Sequence, residues 1–147
     1  MKKSLLISAC LLGTPCRFDG KSVPRVDFSC LSEKYNLIPV CPEIYGGLPT
    51  PRVPSERSGE RVIMADGTDV TENFQRGAEV ALDFAKRLSV GAALLKERSP
   101  SCGHGKIYDG SFTHTLTDGD GVAAEALLSY GVKIYGESEI EKLVSEY

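Results

Sequence analysis

Residues 71–95 read TENFQRGAEVALDFAKRLSVGAALL. Phe74, Ala78, Ala81, Leu82 and Ala85 recur at the three- and four-residue spacing that lays apolar side chains along one helix face. Thr71 stands in front of them as a good N-cap, since its hydroxyl can accept a backbone N–H of the first turn. The helix is predicted to run to about Leu88. Gly91–Leu95 then has the short, continuous apolar character of a buried strand.

The alternation of strand and helix extends outward in both directions. Leu5–Ala9 is a short apolar run stopped by Cys10 and the turn signal Gly13-Thr14-Pro15, and reads as a buried strand. Asp27–Tyr35 is predicted as a short helix with Asp27 as N-cap. Leu37–Val40 is a second strand, stopped by Cys41-Pro42. Residues 42–60 hold four prolines and three glycines. That density argues against helix or central strand and predicts a long loop, the kind that carries function in compact domains. Arg61–Val70 reads as a hairpin around Asp66-Gly67. Residues 97–119 form a second long loop, with His114 in a hairpin. Ala123–Tyr130 is a helix closed by Gly131, Val132–Tyr135 a strand and Ser138–Glu146 a final helix. The pattern predicts one domain over residues 1–147, a three-layer α/β, Rossmann-like fold with a mostly parallel sheet and a small hairpin insertion.

Composition fits this reading. The chain has 147 residues and a net charge of −3, with 41% hydrophobic and 25% charged residues. That is a soluble globular balance. Mild acidity leaves no basic footprint for nucleic acid. No apolar run approaches the roughly 18–20 residues that span a bilayer. The opening MKKSLLISAC resembles a lipoprotein signal, but its apolar stretch is shorter than the roughly 7–15 residues of a signal core, so a buried strand is the better reading. The five cysteines are an odd number in a chain long for a disulfide-stapled scaffold. They point to thiols at work in a reducing compartment, so a cytoplasmic protein is expected. No long exposed apolar helix face demands a partner, and a monomer or weak homodimer is expected.

Cys10 directly follows the first strand and Cys41 the second. Cys102 lies in the loop after the third. Open parallel sheets bind ligands beyond the carboxyl ends of their strands, so these thiols are expected to converge. Thiolates suit zinc or an iron–sulfur cluster, and too few protein ligands would leave a metal position open for chemistry. Thiol–disulfide exchange is less well matched, since no C-x-x-C is present. Cys30, between Ser29 and Leu31, reads as a small buried hydrophobe. Cys16 reads as a bystander, with ligation as the alternative. Glu43, two residues past Cys41, is placed to act as a general base on water.

Arg98-Ser99-Pro100-Ser101-Cys102-Gly103-His104-Gly105 is the densest polar segment. Its hydroxyls are placed to bind a heteroatom or relay a proton. The spacing is not that of a phosphate-binding P-loop. His104 is the candidate fourth ligand of a Cys3His zinc site. Arg52 and Arg57 are candidates to hold an anionic or carbonyl group, with a solvated role at least as good for Arg57.

These residues also carry a resemblance. Ser8-Ala9-Cys10-Leu11-Leu12-Gly13, Cys16-Arg17-Phe18-Asp19-Gly20, Cys41-Pro42-Glu43 with Gly46-Gly47-Leu48 and Pro51-Arg52, Gly67–Thr71, and Lys96–Gly103 stand in a fixed order. Together they resemble a small bacterial family long labelled a domain of unknown function, whose characterised members are thiouracil desulfidases. The resemblance covers nearly the whole chain. It implies a [4Fe–4S] cluster held by Cys10, Cys41 and Cys102 with one iron free. It further implies a catalytic Glu43 and a catalytic serine, Ser101 with Ser99 as the alternative; Ser99 and Arg52 are the candidate substrate-binding residues. Phe18 replaces an expected tyrosine. The implied activity is non-redox hydrolysis of a thiolated small molecule such as 2-thiouracil. The rival readings are a zinc protein using Cys10, Cys41, Cys102 and His104, and a non-catalytic sulfide carrier or cluster-binding sensor.

Overall fold

The computed structural model describes residues 1–21 and 28–147. The expected N-cap Asp27 lies outside the described residues. The chain runs β1 (Lys3–Ser8), α1 (Ser29–Lys34), β2 (Tyr35–Val40), α2 (Pro42–Tyr45), β3 (Ser55–Ser58), β4 (Arg61–Met64) and α3 (Thr71–Arg87). It continues through β5 (Ala92–Leu95), β6 (Lys106–Tyr108), β7 (Leu116–Asp118), α4 (Val122–Tyr130), β8 (Lys133–Gly136) and α5 (Ile140–Glu146). Single 3-10 turns at Ala9–Leu12 and Glu137–Glu139 follow β1 and β8.

Four strands form the central sheet in the order β2-β1-β5-β8, every pair parallel. Neighbouring side chains on a strand point to opposite faces, and the core divides accordingly. Leu5, Ile7, Ala92, Leu94 and Tyr135 pack with Leu31 of α1 and Leu143 of α5. Leu6, Val40, Ala93, Leu95 and Ile134 pack with Ala85 of α3 and with Ala124 and Leu127 of α4. A sheet covered on both faces explains why its strands are almost wholly apolar, and the three expected layers are present.

Several local expectations are corrected. Thr71 is the first residue of α3, not its cap. Its hydroxyl accepts the Val62 N–H at 2.9 Å and donates to Asp69, whose carboxylate also accepts the Thr71 N–H at 2.9 Å. The proline-rich stretch contains both a helical turn and a strand. Pro42 opens α2 at the position where a missing N–H costs nothing. β3 pairs antiparallel with β4, and the Asp66-Gly67 turn then carries β4 on to a bridge between Ile63 and Asp69. A second hairpin, β6–β7, lies in the loop after β5 and carries His114 between its strands, as expected. Cys30 is exposed on α1 while its neighbour Leu31 is buried, so Cys30 is not a core residue.

β1 lies between β2 and β5. The chain therefore leaves β1 toward one edge of the sheet and later returns on its other side. That reversal creates a crevice beyond the carboxyl end of β1.

Candidate functional site

Three cysteines reach this crevice from three strand ends. Cys10 sits in the 3-10 turn after β1, Cys41 caps α2 immediately after β2, and Cys102 follows β5. All three line one cavity of about 570 Å³, together with Glu43, Arg52 and Ser99. Cys16 lines it as well. The preceding turn folds back at Gly13, whose φ is +96°, and brings the Cys16 thiol against those of Cys10 and Cys41.

Three of these thiols are pushed toward the protonated form. The bond to Cys10 is the largest influence on Cys16, which is pushed up to about 11. Cys41 is raised by its bond to Cys16, then by burial and the Glu43 charge. Burial, followed by Glu43, pushes Cys102 up to about 12. These influences keep Cys16, Cys41 and Cys102 protonated. A cationic centre would reverse that balance, and thiolates are the ligands that iron–sulfur clusters take. The donor set fits such a group.

Glu43 is held from two sides. Its Oε1 accepts the Ser101 hydroxyl, and its Oε2 lies 2.7 Å from Nη2 of Arg52. Arg52 is nearly buried and also donates to the Cys16 carbonyl at 3.1 Å and the Pro49 carbonyl at 3.2 Å. Ser99 Oγ accepts the N–H groups of Ser101 and Cys102, both at 3.1 Å, and lies 3.0 Å from Ser101 Oγ. Since Ser101 donates to Glu43, Ser99 must donate to Ser101. The result is a hydroxyl chain from the cavity wall to the carboxylate. Ser8 and Ser101 are the buried polar residues among those described. Ser8 lines the cavity and accepts the Lys96 N–H at 2.9 Å. Ser101 sits behind its wall.

Close backbone contacts fix the parts. A Cβ at Gly77 of α3 would lie 1.8 Å from the Pro42 carbonyl oxygen, and one at Gly46 would lie 2.0 Å from that of Asn73. Asn73 also donates to the Gly46 carbonyl at 2.9 Å. These contacts seat α2, and with it Cys41 and Glu43, directly on α3. A Cβ at Gly121, before α4, would lie 2.4 Å from the Ser101 carbonyl carbon, and so the Ser101–Cys102 turn is held likewise.

The model of the 2-thiouracil desulfurase family matches residues 5–139. The chain belongs to this family. The uncharacterized protein YbbK of Bacillus subtilis (strain 168) is 35% identical over 150 residues, covering 95% of this chain and 99% of its own. The solved structure of the [4Fe–4S]-dependent thiouracil desulfidase TudS superposes with a TM-score of 0.93 at 43% identity, covering 97% of this chain and 96% of that one.

Within this family fold, the residues expected from sequence meet at one place: Cys10, Cys41, Cys102, Glu43, Arg52 and Ser99 on the cavity, and Ser101 just behind. Two expectations fail. His104 does not line the cavity; its Nδ1 lies 2.7 Å from Asp120 Oδ1, so it is not set to complete a Cys3His site. Among the described residues no group of three His, Cys, Asp or Glu side chains is arranged to hold a single metal ion. Arg57 does not line this cavity either. It donates to the Asp120 carbonyl at 2.7 Å and pairs with Glu125. Sequence reasoning missed Ser8, Phe112 and His114 as cavity residues. Ser8 carried one usable signal, a hydroxyl at the end of an otherwise apolar strand. The other two carried none.

Proposed function

We propose that this protein hydrolyses the carbon–sulfur double bond of a thiolated small molecule such as 2-thiouracil, releasing the oxo compound and sulfide. The proposal assigns a [4Fe–4S] cluster to Cys10, Cys41 and Cys102. The observation that carries it is the convergence of three strand-end thiols and a doubly anchored carboxylate on one cavity. The family and the likeness to TudS support it. When bound, the cluster supplies an iron with an open coordination position, a Lewis acid for the thiocarbonyl sulfur.

The chain's own groups account for the proton traffic. Glu43 takes a proton from water, and that water attacks the thiocarbonyl carbon. Each carboxylate oxygen keeps a lone pair for this, beyond those given to Ser101 and Arg52. Arg52 fixes the carboxylate plane through its 2.7 Å contact with Oε2. Once Glu43 is protonated the hydroxyl chain reverses its sense: Glu43 donates to Ser101, Ser101 to Ser99 and Ser99, on the cavity, to the sulfur. The sulfur then leaves as HS−, and the hydroxyl left on the carbon returns its proton to Glu43 as the oxo group forms. Ser99 thus takes the substrate-facing place and Ser101 the relay, while Arg52 acts through Glu43. All five cysteines are free thiols, which suits a reducing compartment such as the cytoplasm. No helix among the described residues is long and apolar enough to cross a membrane.

The test is anaerobic purification, iron and acid-labile sulfide analysis, and an assay for sulfide from 2-thiouracil. About four irons and four sulfides per chain, with uracil and sulfide formed in equal amounts, are expected. Protein with Cys10, Cys41 or Cys102 changed to Ser should hold less iron. A chain that stays iron-free after anaerobic reconstitution overturns the assignment. A loaded protein inert toward 2-thiouracil and other thiocarbonyl compounds would point to a carrier or sensor.

A further inference from the structure

The β6–β7 hairpin contributes Tyr108, Phe112 and His114 to the cavity wall. Phe112 and His114 both have a φ of +58°. Bulky side chains avoid this left-handed region, and where they occupy it the surroundings must enforce it. One carboxylate supplies much of that enforcement. Glu56 of β3, on the other hairpin, accepts the N–H of Gly110 at 3.0 Å and of Phe112 at 3.1 Å with a single oxygen. Gly110 packs against Ser58 so closely that a Cβ there would lie 2.8 Å from it. A row of hydroxyls, Ser111 to Thr113 at 2.6 Å and Thr113 to Thr115 at 2.8 Å, stiffens the loop. The Tyr108 and His114 rings meet edge to face with centroids 6.2 Å apart.

Resting on the desulfidase reading, we propose that Phe112 is the substrate-stacking wall of the site and that Glu56 is the positioning residue that holds it there. A planar thiolated heterocycle offers its sulfur to one side and two broad π faces to the rest of the cavity. Glu43, Ser99 and Ser101 offer no surface to those faces, and the Arg52 guanidinium, which could stack, is held by Glu43 and the Cys16 and Pro49 carbonyls. An aromatic ring can bind them, and it selects flat, unsaturated rings over aliphatic thiocarbonyl compounds of the same size. Strain at Phe112 then has a use: it turns a ring that would otherwise follow the hairpin into the cavity, at a position fixed by a partner outside the reacting groups.

The test compares Phe112→Leu, Phe112→Ala, Phe112→Tyr, Glu56→Ala and Glu56→Gln in cluster-loaded protein. Kinetics with 2-thiouracil are paired with calorimetric binding of 2-thiouracil and with the visible spectrum. Phe112→Leu keeps bulk and removes the π face. It should raise KM and Kd about tenfold, in the lower part of the range for a base stacked on an aromatic ring, with kcat within about twofold and the spectrum unchanged. Phe112→Tyr should restore wild-type binding. Glu56→Ala should reproduce the KM rise and Glu56→Gln should recover part of it. Wild-type KM and Kd in Phe112→Leu overturn the wall, and wild-type KM in Glu56→Ala overturns the latch. If wild-type protein binds 2-thiouracil without turning it over, the desulfidase reading fails while the binding series still decides the stacking role. If it binds no 2-thiouracil at all, the wall fails.

Discussion

Gly77 of α3 and Pro42 of α2 meet backbone to backbone, close enough that a single methyl group at 77 would fall 1.8 Å from the Pro42 carbonyl oxygen. The contact explains a glycine in the middle of a 17-residue helix, where it costs about 1 kcal/mol relative to alanine. Neither backbone can yield, since Gly46 and Asn73 repeat the contact one turn on. Gly77→Ala must push α2 away from α3, carrying Cys41 and Glu43 with it. We expect a loss of about 3 kcal/mol, at the upper end for overpacking, and a Tm lower by roughly 10 °C for a chain of this size. Iron content after reconstitution should fall too. A variant with wild-type Tm and full iron would show that the contact does not position the site.

Glu43 and Arg52 form a pair in which the carboxylate is the reacting partner and the guanidinium its support. Glu43→Gln should lower kcat about 10²- to 10⁴-fold, the usual worth of a general base, while the cluster spectrum persists. Arg52→Met leaves a largely buried carboxylate without its counter-charge. It should cost about 2 kcal/mol, less than for a fully buried pair because Glu43 retains some contact with water. The double variant Glu43→Gln/Arg52→Met should recover stability and remain inactive. Urea unfolding and sulfide release together separate these outcomes, and a double variant no more stable than Arg52→Met would mean that the arginine acts through Cys16 and Pro49 instead.

Ser99 and Ser101 have different duties although they stand two residues apart. Ser101 gives its hydroxyl to Glu43 and makes no contact with solvent. Ser99 receives two backbone N–H groups, one of them from Cys102. Ser101→Ala should therefore leave iron content intact and reduce kcat by about tenfold to a hundredfold, as for a lost charge-assisted hydrogen bond of about 1.5–3 kcal/mol. Ser99→Ala frees the turn that presents Cys102, so it should lower cluster retention as well as kcat. Equal iron content in both variants would contradict the division.

The parts legible in the sequence were those whose signal is local. α3 announced itself through the spacing of Phe74, Ala78, Ala81 and Ala85. Cys10 and Cys41 were legible because each directly ends an apolar run, and in a parallel sheet that position has a spatial meaning. β3 was not legible because Ser55-Glu56-Arg57-Ser58 has no apolar alternation. It is fixed by distant partners, Asp120 and Glu125 through Arg57 and the β6–β7 loop through Glu56. Cys16 looked peripheral because it lies off any strand end, and only the turn at Gly13 returns it to the other thiols. Phe112 and His114 were hidden more deeply, since nothing local predicts two bulky residues at positive φ. The helix-interior Gly77 likewise reads as a cost until its partner is known.

Tyr135 offers a test of stability away from the site. Its side chain is buried on β8, and its hydroxyl donates to Glu146 of α5 at 2.5 Å. Burial, followed by the bond to Glu146 and the charge of that carboxylate, pushes the phenol up from 10.0 to about 12. Folding thus favours the protonated phenol. The stabilisation is complete below pH 10, where both states are protonated, and is lost as pH rises from about 10 through 12, where the unfolded chain ionises first. Two pH units would be roughly 2–3 kcal/mol, which solvent screening lowers to about 1–2 kcal/mol. Tyr135→Phe removes this titration and the hydrogen bond together. At pH 8 the variant should be less stable than wild type by about 1 kcal/mol. The difference should shrink and then change sign as the pH approaches 12. Urea unfolding of both proteins across pH 8–11.5 measures it, and a difference that stays constant over that range would mean that the phenol ionises alike in both states.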